Sequence, residues 1–297
     1  MKQKVSLVLS GGGARGIAHI GVIEELEKQG FDIFSVVGTS MGALVGGIYA
    51  LEKIEEFKEW ICTLDKLKVF SLVDFSFSKQ GLVKGDKLLK KLQEFISDQN
   101  IEDLSIYYAA IASDIINQKE VVFKSGSVYN AIRASIAIPT VFTPVKAENG
   151  LLVDGGIINN LPINHAKRIK GDLLVAVNVN ADIPVDKPLL SKKESDKQES
   201  IYQKKIKEFS SHLLKIIPLT SDDNEETQLG FFELINKTIS MVTNYNAQMA
   251  LTNHQPDILI NISHESCGTY DFYKAEEMVE IGRHAAIKAL EKFKSNS

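Results

Sequence analysis

Two glycine-framed turns and one aspartate supply the groups from which acyl transfer is built. Gly11-Gly12-Gly13-Ala14-Arg15-Gly16 follows a short apolar run and opens an amphipathic segment. Backbone N–H groups of Gly11, Gly12 and Gly13 at such a helix start can hold an oxyanion, and the helix adds a partial positive charge there. Glycine suits this loop because a ligand can approach its backbone closely. Arg15 is a supporting residue, able to strengthen that field, bind a substrate phosphate or sit in a structural ion pair. Gly38-Thr39-Ser40-Met41-Gly42 follows the next apolar run and precedes Ala43-Leu44-Val45-Gly46-Gly47-Ile48. A serine on a sharp strand-to-helix turn projects its hydroxyl, and Gly38 and Gly42 keep the turn free of colliding side chains.

A serine hydroxyl needs a base. Asp154, in Leu152-Val153-Asp154-Gly155-Gly156, is a carboxylate at a strand end followed by two turn-forming glycines, Gly155 and Gly156. A triad in the order Ser40, Asp154 and then His254, His264 or His284 is the alternative. None of those histidines lies in a glycine-rich turn, and the serine turn comes after only two strands, early for an α/β-hydrolase. The residues therefore favour a Ser40–Asp154 dyad, whose carboxylate must be partly desolvated or directly hydrogen-bonded to act as a base.

The string Gly11-x-Gly13-x-x-Gly16 also has the form of a dinucleotide fingerprint. That site requires an acidic residue at the end of the following strand. Here the strand ends Val36-Val37-Gly38-Thr39-Ser40, and Asp32 lies at its other end. A Walker-type loop fits less well still, since no Gly-Lys-Ser/Thr follows.

The elements that must position these groups alternate between strand and helix. Strands are predicted over Val5–Leu9, Ile33–Val37, Ile106–Ala112, Val121–Lys124, Leu151–Asp154, Leu173–Val179 and Ile258–Ile262. Several are continuous apolar runs, as in strands buried on both faces. Helical stripes run through Ile17, Ile20, Ile23 and Leu26, stopped by Gly30; through Ile54, Phe57, Trp60, Ile61 and Leu64; and through Leu88, Leu89, Leu92, Phe95 and Ile96. A final helix carries Ala275, Met278, Val279, Gly282, Ala286 and Ala289. The alternation predicts an α/β fold with a mainly parallel sheet covered by helices. Residues 5–182 form the catalytic core, 183–230 a charged insertion, and 231–297 complete the same domain. Within the insertion Tyr202, Ile206, Phe209, Leu213 and Ile216 recur at helical spacing among lysines. Residues 200–218 thus read as a basic amphipathic helix, either packed on the surface or serving as a cover or interfacial contact.

Composition bounds the remaining possibilities. The 297 residues are 44% hydrophobic and 24% charged with a net charge of −4, an ordinary globular balance that gives no general nucleic-acid surface. Two cysteines, Cys62 and Cys267, make neither a disulfide framework nor metal spacing, so no metal is expected. Val5–Leu9 is short and runs into glycines, unlike a signal-peptide core, and no stretch approaches the roughly 20 apolar residues of a membrane span. The expectation is a cytoplasmic protein able to touch a membrane peripherally.

These motifs, in this order, resemble those of the patatin-like phospholipases, especially the bacterial branch similar to the catalytic domain of neuropathy target esterase. Gly11–Gly16 matches the oxyanion loop, Gly38–Gly42 the nucleophile turn with Ser40, and Asp154-Gly155-Gly156 the base. Ala134-Ser135-Ile136-Ala137-Ile138-Pro139 and Asn159-Asn160-Leu161-Pro162 resemble further blocks of the family. The resemblance covers Val5 to about Asn180 and is absent from the charged insertion. It implies a three-layer α/β/α fold, a Ser–Asp dyad without a catalytic histidine, and hydrolysis of phospholipid, lysophospholipid or other acyl esters without metal or cofactor. Two other readings use the same fold: a low-turnover binding or regulatory protein, and an acyltransferase employing the same dyad.

Overall fold

Short apolar runs bounded by glycine and polar residues become the strands of one sheet. The computed structural model describes residues 2–72, 86–96, 99–139, 141–186 and 231–296. Its strands are β1 (Gln3–Leu9), β2 (Phe31–Thr39), β3 (Tyr107–Asp114), β4 (Lys119–Phe123), β5 (Val145–Ala147), β6 (Gly150–Asp154), β7 (Leu173–Ala181) and β8 (Ile258–Ser263). Its α-helices are α1 (Ala18–Lys28), α2 (Met41–Ala50), α3 (Ile54–Cys62), α4 (Lys66–Leu72), α5 (Asp86–Leu92), α6 (Val128–Ser135), α7 (Phe231–Asn253) and α8 (Ala275–Asn296).

β1 lies between β2 and β7, β8 extends the sheet beyond β7, and β3 lies against β2, all in parallel. The rest of the sheet is not parallel. β4 and β6 run antiparallel to β3, and β5 antiparallel to β6. The expectation of a mainly parallel sheet is corrected to a mixed one, and connection length is the reason. A parallel neighbour requires a crossover of a dozen or more residues, whereas residues 115–118 join β3 to β4 and residues 148–149 join β5 to β6.

The register brings two strands together end to end. β2 pairs with residues 107–111 of β3, up to Thr39 opposite Ile111. β6 pairs with residues 112–114, ending with Asp154 opposite Ala112. β4 pairs with residues 110–114, overlapping both. A strand has two edges, so β4 occupies one and β2 and β6 share the other. They approach from opposite directions and meet between Ile111 and Ala112. Ser40 follows the last residue of β2 and Asp154 is the last residue of β6, so this junction brings the two together.

Helices cover both faces. Val5, Leu7 and Leu9 of β1 point to one face, where they join Ile20, Ile23 and Leu26 of α1, Val45 and Ile48 of α2, and Met278 and Leu290 of α8. Val8 points the other way and packs with Leu161, Ile163, Leu174, Ala176 and Ala247, the last from α7. This is the three-layer α/β/α arrangement. α1 ends where Gly30 adopts φ +86°. α7 has no counterpart in the sequence prediction: Asn236, Thr238, Ser240, Thr243, Asn244 and Asn246 are weak helix formers, and its stability comes from packing. The three-residue β5 was too short to read. The predicted amphipathic helix of residues 200–218 lies outside the described residues.

α1 and α8 cross with their backbones nearly touching. A Cβ on Gly21 would lie 1.9 Å from Val279 O, and one on Gly282 would lie 1.9 Å from Ala18 O. In an exposed helix, Gly→Ala gains about 1 kcal/mol of propensity. Here the added carbon meets backbone that cannot move aside, and overpacking typically costs about 1–3 kcal/mol. Gly282→Ala should therefore destabilise the protein despite the better helix former, read as a lower urea midpoint at unchanged m-value.

Candidate active site

Ser40 occupies the turn between β2 and α2 at φ 54° and ψ −122°, a left-handed conformation uncommon for any residue other than glycine. Such a residue persists only where its surroundings hold it, and three contacts do so. Its N–H donates to Ser135 Oγ at 2.8 Å, its carbonyl accepts from Leu44 N, and the preceding Thr39 Oγ1 donates to Asn159 O at 2.8 Å. The flanking glycines are required by space. A Cβ on Gly38 would lie 2.4 Å from the carbonyl carbon of Gly42, and one on Gly42 would lie 2.3 Å from Leu9 O.

The Ser40 hydroxyl donates to Asp154 Oδ2 at 2.5 Å, and both residues are buried. Asp154 is fixed from two sides: its N–H donates to Ala137 O at 2.9 Å, and its Oδ1 accepts from Gly156 N at 2.8 Å. Gly155 lets this turn lie flat on β3, since a Cβ there would come within 2.3 Å of Ile111 O. Burial raises the Asp154 carboxyl to about 6, against the opposing pull of the hydrogen bonds from Ser40 and Gly156. A carboxyl in that range can both accept a proton and return it near neutral pH.

The glycine loop lies beside this pair. It enters a 3₁₀ turn, Gly13–Ile17, that leads into α1. The point a Cβ on Gly11 would occupy is 3.1 Å from Ser40 Cβ. The Gly11 N–H donates to Asn160 O at 3.1 Å, and its carbonyl accepts from Asn180 Nδ2 at 2.6 Å. The sequence expectation of three loop donors is thereby amended, because the Gly11 N–H is already engaged within the fold. Among the described residues the Gly12 and Gly13 N–H groups have no protein acceptor, while that of Ala14 donates to Thr269 O. Gly13, at φ +58°, lies so close to Thr269 that a Cβ would be 2.4 Å from its carbonyl oxygen.

Arg15 reaches behind the loop, donating to Cys267 O at 3.2 Å and Asn180 Oδ1 at 3.0 Å. Among the described residues it has no carboxylate partner, so the ion-pair reading does not apply. Burial lowers its pKa, partly offset by Cys267. Its visible work is to tie the loop to the end of β7 and to the segment after β8.

No histidine among the described residues bonds to Ser40 or Asp154. His19 Nε2 meets Ser10 O, His165 meets Glu120, His264 Nδ1 lies at Ala181 O, and His284 lies 3.6 Å from Asp186. His19 is held neutral, its pKa pushed down to about 4 by burial. No cluster of three His, Cys, Asp or Glu able to hold a metal occurs among the described residues, and none of their helices is long and apolar enough to cross a membrane.

The fold thus brings together Gly11, Gly12, Gly13, Gly38, Ser40, Gly42, Asp154, Gly155 and Gly156. Sequence reasoning did not single out Ser135, Ala137, Asn160 or Asn180, which hold the turn, the aspartate and the loop. The first three lie inside the two blocks noted only for their resemblance. Asn180 had no local signal, since its role depends on β7 lying beside β1.

A buried serine hydrogen-bonded to an aspartate at a strand–helix turn of a three-layer fold is an arrangement able to carry acyl transfer, and the comparisons identify the family. The family model described as patatin-like phospholipase matches residues 7–167. An uncharacterized NTE family protein of Mycobacterium tuberculosis is 32% identical over 98% of this chain and 92% of its own length. Lysophospholipase nte1 of Aspergillus fumigatus is 27% identical over 99% of this chain, which spans 18% of that larger protein. Among solved structures, VipD from Legionella pneumophila aligns over 98% of this chain and 67% of its own, with 13% identity and a TM-score of 0.44. The chain belongs to the patatin-like phospholipase family and is a lipid-hydrolysing esterase.

Proposed function

We propose that the protein hydrolyses acyl esters of lysophospholipids or closely related lipids through a Ser40–Asp154 dyad. The observation that carries this reading is the 2.5 Å hydrogen bond from Ser40 Oγ to a carboxylate that burial has made more basic. Ser40 Oγ attacks the ester carbonyl while its proton passes to Asp154 Oδ2. Negative charge develops on the carbonyl oxygen, and the unengaged N–H groups of Gly12 and Gly13 are the backbone donors for it. Collapse of the tetrahedral species expels the alcohol, here a lysolipid or glycerophospho-alcohol, which takes the proton from Asp154. Water then attacks the acyl-serine as Asp154 accepts its proton, and when the acyl–Oγ bond breaks Asp154 returns that proton to Ser40 Oγ and the fatty acid leaves. On this reading residues 5–182 carry the chemistry and 231–297 complete the same unit, with α7 supporting the base turn through the bond from Asn246 Nδ2 to Ile157 O at 2.7 Å. The lysophospholipid preference is supported by the A. fumigatus relative.

The test is to incubate purified protein with lysophosphatidylcholine, diacyl phosphatidylcholine and monoacylglycerol and to measure fatty acid release by mass spectrometry. Covalent labelling with a fluorophosphonate is mapped in parallel. Release from at least one lipid with label on Ser40 is expected. Label on a different residue, or no release from any of them, would overturn the reading. Adding an alcohol acceptor distinguishes hydrolysis from acyl transfer, because transfer yields a new ester instead of free acid.

A further inference from the structure

Asn160 takes one donor out of the glycine loop and brings its own. Its carbonyl accepts the Gly11 N–H at 3.1 Å. Its side chain lies between the loop and the base turn, with Oδ1 2.5 Å from the point a Cβ on Gly11 would occupy and 2.9 Å from that on Gly156. That same Gly11 point is 3.1 Å from Ser40 Cβ. The residue is only 3% exposed, and among the described residues its Nδ2 has no hydrogen-bond partner. Leaving a buried amide donor unpaired is costly, so its retention calls for a partner that arrives from outside the fold. Its backbone is well anchored: Asn159 O is bonded to Thr39 Oγ1, and Leu161 is buried against Val8. The amide is therefore held between the glycine loop and the base turn, its Oδ1 against Gly11 and Gly156 and its Nδ2 left unpaired among the described residues.

We propose that Asn160 is a further catalytic residue, whose Nδ2 donates a hydrogen bond to the substrate carbonyl oxygen as it becomes an oxyanion. It stands in for the donor that Gly11 does not supply. This deepens the esterase reading and rests on it. In the step concerned the Ser40 Oγ–carbon bond forms, the hydroxyl proton moves to Asp154, and the carbonyl π pair moves onto the oxygen. Asn160 donates a hydrogen bond there and transfers nothing.

The experiment compares Asn160→Ala, Asn160→Ser and Asn160→Asp with wild type on p-nitrophenyl butyrate and lysophosphatidylcholine, with Ser40→Ala and Asp154→Asn alongside. Loss of one side-chain oxyanion donor lowers kcat by about 100-fold or more. The Ala and Ser variants should show that loss with KM within about threefold of wild type, as expected for a contact made mainly in the transition state. Fluorophosphonate inactivation, which places a phosphoryl oxygen where the oxyanion would sit, should slow in parallel. Asn160→Asp keeps the shape but lacks the donor and should not rescue. The proposal is overturned by folded variants that keep kcat within threefold, by an effect confined to KM, by rescue in the aspartate variant, or by all three variants failing to fold, which would make Asn160 a structural wedge. Activity surviving in both Ser40→Ala and Asp154→Asn would instead sink the dyad, whatever Asn160 does.

Discussion

Ser40→Ala should lower kcat for ester hydrolysis by at least about 10⁴-fold, leaving the fold intact. A loss of that size is about 5.5 kcal/mol of transition-state stabilisation, far more than any single neighbouring hydrogen bond supplies. The reason lies in the chemistry: without Oγ there is no covalent route, and the remaining donors can stabilise only a direct attack by water. The fold should tolerate the change. Alanine adopts the same turn with comparable strain, Gly38 and Gly42 still clear the space, and the Ser40 N–H keeps its bond to Ser135 Oγ. The measurement is fatty acid release against a thermal melt. Turnover within tenfold of wild type in a folded variant would mean that another residue is the nucleophile.

Asp154→Asn should abolish turnover and stabilise the protein at the same time. An amide cannot take the serine proton, so kcat should fall by about 10³-fold or more, in line with removal of a base from such a unit. The stability sign follows from the carboxyl, whose pKa is raised from 3.8 to about 6 by burial. The native state binds this proton more tightly than the unfolded chain does. The associated stability is fully present below the unfolded value and is lost as pH rises through about 6. Above that range the buried charge costs about 3 kcal/mol. Asparagine carries no charge and can still accept from Gly156 N and meet the Ser40 hydroxyl. At pH 8 the variant should therefore melt several degrees higher, by about 2–4 °C per kcal/mol gained, and near pH 4 the difference should vanish. Wild-type kcat/KM should rise about tenfold per pH unit below 6 and level off above it. A flat wild-type profile between pH 5 and 8, or equal melting temperatures at pH 8, would show that Asp154 is neither the base nor strained by burial.

The sequence carried the local parts of this arrangement well. Gly38, Ser40 and Gly42 act within one turn, as do Asp154, Gly155 and Gly156, and such short-range requirements leave a readable pattern. The strands from β1 to β3, β7 and β8 were legible because burial on both faces demands continuous apolar runs. What escaped was set by partners distant in the chain. Ser135 and Asn180 become supports only when α6 and β7 have docked. The Gly11 N–H is claimed by a carbonyl at residue 160, which no inspection of the loop could reveal. α7 was hidden because its polar, β-branched and asparagine-rich sequence lacks local helical preference. The antiparallel part of the sheet follows from the brevity of two connections, which strand–helix alternation does not register.

The end-to-end meeting of β2 and β6 along one edge of β3 has a consequence for how the enzyme comes into being. Neither strand pairs with the other through a ladder of its own, so the register of each on β3 sets their spacing, like a ruler on which two pointers are read, and the bonds to Ser135, Ala137 and Asn159 then hold it. A slip of β6 by one residue would carry Asp154 about 3.3 Å along that edge and turn its side chain to the opposite face. On the proposed Ser40–Asp154 chemistry, the site is not competent until β2 and β6 have both found their register on β3. During refolding, the return of esterase activity should lag the return of helical signal. If the proposed dyad does the chemistry, a half-folded copy is inert by construction, since the same register that completes the sheet brings the carboxylate to the serine.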